Sequence, residues 1–163
     1  MTSAFAQTIR MTLAGLEAAV LLVTAVLLTK LVAYRRWKGM LGVVTASPKP
    51  NLDPVDMAIV RTVERAVDGV ARRLPFQVLC MPRAMAAKWM LDRRNLASTL
   101  FIGIRRKGIG ASLTGEGRAT ELHAWLRVGE RIVTGRDAVQ DYHVIACIGG
   151  RVEARGKAER SAS

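Results

Sequence analysis

A chain of 163 residues has room for one modest globular domain and little more. Its two cysteines lie 67 positions apart, which excludes a disulfide-framed secreted mini-protein and suits a reducing cytosol. The net charge of +12 comes with only eight aromatics and no nucleic-acid-binding motif, so stacking-based recognition of RNA or DNA is excluded as well.

Residues 11–34 open the chain with a strongly apolar stretch. Its centre is an uncharged run from Ala18 to Thr29, bounded by Glu17 and Lys30. Twelve residues are short of the roughly twenty that a spanning helix needs. Counted from Met11 to Tyr34 the length suffices, and Arg35-Arg36-Trp37-Lys38 has the character of a positive-inside flank. A helix that is buried or leans on a membrane is the favoured reading over a true span. A signal peptide fits poorly, since no small-residue cleavage site follows.

Three prolines between 48 and 54 mark a linker. Asp53 then serves as an N-cap with Pro54 at the first helical position. Met57, Val60, Val63, Val67 and Val70 recur at three- and four-residue spacing, the pattern of an amphipathic helix. It ends near Arg73, because Pro75 disfavours helix at Leu74. A second helix starts close to Cys80, since Pro82 is tolerated only in a first turn. It stops at Asn95, a residue that accepts left-handed backbone.

A strand over 97–105 follows, with Leu100, Ile102 and Ile104 on one face. Residues 107–119 hold four glycines and read as a loop. Thr120–Val128 and Arg131–Thr134 flank Gly129-Glu130 as an antiparallel hairpin, and Tyr142–Ile148 is a further strand. The last dozen residues are charged and small, the composition of a disordered tail. The domain reading is therefore an apolar helix and linker over 1–50, a core over 51–148 and a basic tail over 149–163.

The basic charge is concentrated. Residues 61–107 hold eleven Lys/Arg against three Asp/Glu. Such a surface suits an acidic peptide or anionic lipid, or is simply a solvated helix face.

The chemistry turns on Cys80 and on His123, forty-three residues later. A thiol at a helix N-terminus feels the positive end of the helix dipole, which favours the reactive thiolate. An imidazole on a strand facing it would complete the arrangement of a papain- or transglutaminase-like nucleophile. His123 shares its strand face with Trp125. A third group must hold the ring in the working tautomer. Asp137 is the candidate and Asp141 the runner-up, although either suits a turn beside glycine. A zinc site from Cys80, Cys147, His123 and His143 lacks the paired ligand spacing of structural zinc, so no metal and no cofactor is expected. Cys147 reads as a packed core thiol and His143 as a surface or edge residue.

Leu74-Pro75-Phe76, then Cys80-Met81-Pro82-Arg83-Ala84-Met85-Ala86, Leu100-Phe101-Ile102-Gly103-Ile104 and His123-Ala124-Trp125-Leu126, resemble the lasso-peptide maturation proteases. The apolar helix ending in Tyr34-Arg35-Arg36-Trp37 resembles their N-terminal half, so the likeness covers roughly residues 10–148. It implies an α+β, papain/transglutaminase-like fold, with N-terminal helices and a cysteine-bearing helix packed on an antiparallel sheet that carries the histidine. It implies a cysteine peptidase with Cys80 as nucleophile and His123 as general base. Asp137 matches the family's third position only with a small shift. Some ten residues precede the apolar helix, from which the split form is expected. That form works with a precursor peptide substrate, a separate leader-recognition protein and a macrolactam-forming lasso cyclase. The location expected is cytoplasmic, with membrane contact through residues 11–34 as an option. The rival readings are a transglutaminase-fold acyltransferase and a non-enzymatic, membrane-associated basic adaptor.

Overall fold

The computed structural model describes residues 2–32, 54–105, 122–136 and 139–149, with side chains from Gln7 onward. Helix α1 (Thr2–Leu31), helix α2 (Pro54–Ala71) and helix α3 (Cys80–Asp92) precede strands β1 (Thr99–Arg105), β2 (Leu122–Val128) and β3 (Arg131–Thr134). A 3-10 turn (Val139–Asp141) leads into β4 (Tyr142–Gly149). The fold is mixed α+β: the described residues form three helices and one antiparallel sheet, in the order β3-β2-β1-β4.

Helix α3 is the centre of the molecule. Ala84, Met85, Ala86, Ala87, Met90 and Leu91 are all buried, so the helix is covered on nearly every side, as an all-round apolar helix must be. On one flank it meets α1 and α2; on the other it lies against Ala124, Leu126 and Val128 of β2 and Leu100 and Ile102 of β1. The start at Cys80 agrees with the constraint from Pro82, which falls in the first turn. The stop agrees too: Asn95 has φ 56°, and the amide of Leu96 reaches back to the Leu91 carbonyl at 3.0 Å.

Helix α2 buries Val60, Val63, Ala66, Val67 and Ala71, while Met57 and Val70 from the expected stripe are half-buried. Helix α1 begins at Thr2, nine residues before the apolar stretch does. Its inner face is small (Ala14, Ala18, Leu22, Ala25), and this lets α2 and α3 approach closely. Glu17 interrupts the apolar surface for a reason: its carboxylate takes both guanidinium nitrogens of Arg94, at 2.6 and 3.2 Å, and joins α1 to the end of α3. Ile9, Leu13, Leu16, Val20, Val23, Leu27 and Leu31 are exposed on the outer face. Gln7–Leu31 is long and apolar enough to cross a membrane, yet one face of it is core, so length and composition fit either a soluble or a membrane-associated domain.

The turn at Gly129-Glu130 joins β2 to β3 with Val128 opposite Arg131, and Gly129 has the left-handed φ of 56° that a tight hairpin demands. The strands alternate as expected. Ala124, Leu126 and Val128 face the helices, while His123 and Trp125 face the other way. There Trp125 stacks on Phe101 with ring centroids 5.6 Å apart. The linker over 45–54 (up to Asn51-Leu52-Asp53), the glycine loop over 107–119 and the tail lie outside the described residues.

Candidate active site

One cleft of about 480 Å³ opens at the edge of the sheet, between the end of α2, the start of α3 and the end of β3. Both Cys80 and His123 line it, together with Gln77, Leu79, Arg83 and the Val133–Arg136 segment. Two elements far apart in sequence thus bring the two singled-out residues to one cavity. Among the described residues no hydrogen bond joins the Cys80 thiol to the imidazole.

Cys80 is half-buried and is the first residue of α3. Leu79 precedes it as an N-cap in extended conformation (φ −71°, ψ 171°) and offers no side-chain cap. The first backbone N–H groups of a helix have no acceptor within it. Here the first bond inside the helix runs from the Arg83 amide to the Leu79 carbonyl, and Pro82 has no N–H. The N–H groups of Cys80 and Met81 are therefore left pointing out of the helix start.

His123 is held on three sides. Tyr142 of β4 lies 5.0 Å from its ring centroid and Trp125 lies 5.9 Å away. Its Nε2–H donates to the carbonyl oxygen of Gly135 at 2.9 Å. A carbonyl only accepts, so this bond places the proton on Nε2 and leaves the Nδ1 lone pair free. Gly135 follows β3 with φ +73°. A positive φ turns the chain sharply there, a conformation that glycine adopts at no steric cost.

The cleft is strongly charged. Glu64 of α2 accepts Arg131 at 2.6 Å and Arg136 at 2.8 Å, fastening α2 to the end of β3. Asp68, one turn further along, has its carboxyl pushed up by burial, against the opposing pull of Arg83 and Arg72.

Of the residues singled out from sequence, Cys80 and His123 come together and Asp137 lies outside the described residues. Asp141 sits exposed in the 3-10 turn before β4. Cys147 is a correction. It is only half-buried, on the Phe101 side of the sheet rather than in the core under the helices, and burial pushes its thiol up against the opposing charge of Arg127. His143 is exposed. Among the described residues no group of three or more His, Cys, Asp or Glu could hold a metal ion, and the four zinc candidates do not gather. Sequence reasoning missed Gln77, the Gly135 carbonyl and the Tyr142 ring. A glycine directly after a strand was the available signal for the second.

A family model described as the transglutaminase-like superfamily matches residues 21–147, which takes in α2, α3, the four-stranded sheet and both cleft residues. The chain belongs to the transglutaminase-like superfamily. No curated protein and no solved structure gives a significant match. Membership accords with the α+β architecture and with a fold of the cysteine-protease or acyltransferase type.

Proposed function

We propose that this protein is a cysteine peptidase that removes the leader from a lasso-peptide precursor. The observation that carries the reading is the meeting of Cys80, at a helix N-terminus, and His123, on a strand, in one cleft of a transglutaminase-like domain.

In this reading the Nδ1 of His123 takes the Cys80 proton, and the thiolate attacks the scissile carbonyl carbon. The oxyanion that forms is met by the backbone N–H of Cys80 and by the Gln77 amide, donors aimed where charge develops. His123 gives its proton to the leaving amine, and the C–N bond breaks to leave a thioester on Cys80. Water, deprotonated by His123, then attacks the thioester and frees the leader carboxylate and the thiol. The Gly135 carbonyl keeps Nε2–H in place throughout, the orienting role that an Asp or Asn fills elsewhere. To Asp137, two residues on in the chain, this reading gives the part of a supporting acceptor. Because Cys80 and His123 share a cleft without a hydrogen bond, substrate binding has to draw them together.

A separate leader-recognition protein holds the precursor, which raises the effective concentration of the scissile bond, and a lasso cyclase consumes the product. The work is cytoplasmic, and the outer face of α1 is the part available to a membrane.

The test is leader removal from a lasso-peptide precursor, followed by mass spectrometry, with and without a leader-recognition protein. The expected result is cleavage that is slow alone, faster with the partner and abolished in Cys80→Ala. Cleavage retained by Cys80→Ala would eliminate the mechanism. Capture of the acyl-enzyme by an added amine in preference to water would replace peptidase with acyltransferase.

A further inference from the structure

The arginines of the cleft outnumber what its carboxylates can neutralise. The wall runs past Asp68 into a second hollow lined by Arg61, Arg65 and Arg131 and sharing Glu64, Asp68 and Arg72. Glu64 is already taken by Arg131 and Arg136. Arg72 and Arg83 have no carboxylate within ion-pair distance among the described residues, and the Arg83 Nε is buried with no hydrogen-bond partner. Asp68 is the acid they act on, and burial pushes its carboxyl up against their pull.

Position adds to the case. Arg83 lies three residues after Cys80 on the same helix, so the two side chains are neighbours on one face. Arg72 approaches from the turn directly after α2, in the same cleft. A planar guanidinium presents a fork of N–H donors that matches a carboxylate.

We propose that Arg72 and Arg83 form a subsite for a carboxylate side chain of the substrate peptide, a Glu or Asp close to the bond that Cys80 attacks. The inference rests on the reading of Cys80 as the nucleophile. Arg83, with its inward Nε, sets the position of the acidic side chain, and exposed Arg72 closes on it from α2. Asp68 lines the same cleft, and its charge is the one that the two arginines must outweigh for an acidic side chain to bind.

The experiment compares alkylation of Cys80 by iodoacetate, which carries a carboxylate, and by neutral iodoacetamide, with both thiols followed by peptide mass spectrometry. In each reaction the thiolate displaces iodide and forms a C–S bond. The iodoacetate-to-iodoacetamide rate ratio is expected to fall about threefold or more in Arg72→Gln and in Arg83→Gln, and to survive largely in Arg83→Lys, as expected for charges within about 7 Å of the probe. It is also expected to shrink in 1 M salt, where the Debye length is about 3 Å. An end-capped peptide of alternating Glu and Gly is expected to slow Cys80 labelling by iodoacetamide, whereas its Gln–Gly counterpart does not. A ratio unchanged in both Gln variants, or equal protection by the two peptides, overturns this proposal alone. If Arg83→Gln does not fold, the exposed Arg72→Gln decides. Iodoacetamide labelling of Cys80 no faster than that of Cys147 overturns the nucleophile reading, and this proposal with it.

Discussion

A Cβ placed on Gly135 would stand 2.5 Å from the carbonyl oxygen of Ala124, closer than real Cβ atoms come to backbone. The obstacle is main chain, which cannot swing aside as a side chain could. Gly135 also has φ +73°, and its carbonyl is the acceptor for His123 Nε2. The position thus joins a conformational demand to the orientation of the imidazole.

Gly135→Ala is therefore expected to lower the unfolding free energy by about 2 kcal/mol or more, from left-handed strain plus the clash. Leader cleavage by the fraction that still folds is expected to drop at least about tenfold, since a shifted carbonyl frees the ring to turn. Denaturant unfolding and cleavage rates measured on the same preparation check both. Wild-type values in the two would show that the carbonyl does not hold the histidine.

Asp137→Asn is expected to cost less activity than Cys80→Ala or His123→Ala, because Nε2–H already has an acceptor in Gly135. Asp141→Asn is expected to be silent, given that its side chain is exposed in the 3-10 turn. Removing either Cys80 or His123 should cost about as much as removing both, as for groups that act as a unit. An inactive Asp141→Asn beside an active Asp137→Asn would reverse this assignment. The ¹⁵N shifts of the His123 ring provide the independent check, with the proton expected on Nε2.

Much of this site was legible because local rules act on single residues. Pro82 can sit only in a first turn, and that alone puts Cys80 at a helix start. Asn95 tolerates left-handed backbone, and Gly129-Glu130 is turn chemistry; both stand where expected. Alternation along β2 then places His123 beside Trp125. What stayed hidden depends on pairing across distance. The acceptor for His123 is a backbone carbonyl, and every residue carries one. The buried Lys88 looked like any other cation of the 61–107 segment. Arg131 and Arg136 have a partner only because the fold brings Glu64 of α2 to them. Glu17 looked like a break in an apolar run, and only the end of α3 gives it a purpose.

That last pairing is testable. Glu17 is mostly buried and binds Arg94 through both oxygens, with Arg93 at 3.4 Å. Glu17→Gln preserves shape and removes charge. The loss expected is about 1.5–3 kcal/mol, the range for hydrogen bonds to charged groups. A double-mutant cycle with Arg94→Gln isolates the pair, and a coupling near zero would mean that α1 is held by its alanine face alone.

Lys88 is fully buried, with Nζ 3.2 Å from Asp92 Oδ1 and 3.4 Å from the Ser98 carbonyl oxygen. Burial lowers its pKa from the usual 10.5, and Asp92 opposes that shift. Between the lowered value and 10.5 the unfolded chain holds more protons than the folded one, so stability rises with pH across that window. Below the window the cost of burying the charge is borne in full. Lys88→Met keeps the volume and removes the charge, and partly exposed Asp92 can turn to water. This variant is expected to be neutral to about 3 kcal/mol more stable at neutral pH, with the advantage shrinking as pH climbs toward 10.5. Lys88→Ala is expected to lose about 2–5 kcal/mol, because it leaves a cavity under the sheet. Urea unfolding of all three chains between neutral pH and pH 10 decides the matter. A Lys88→Met chain that is less stable than wild type at neutral pH would show that the ion pair and the Ser98 contact outweigh the burial of the ammonium.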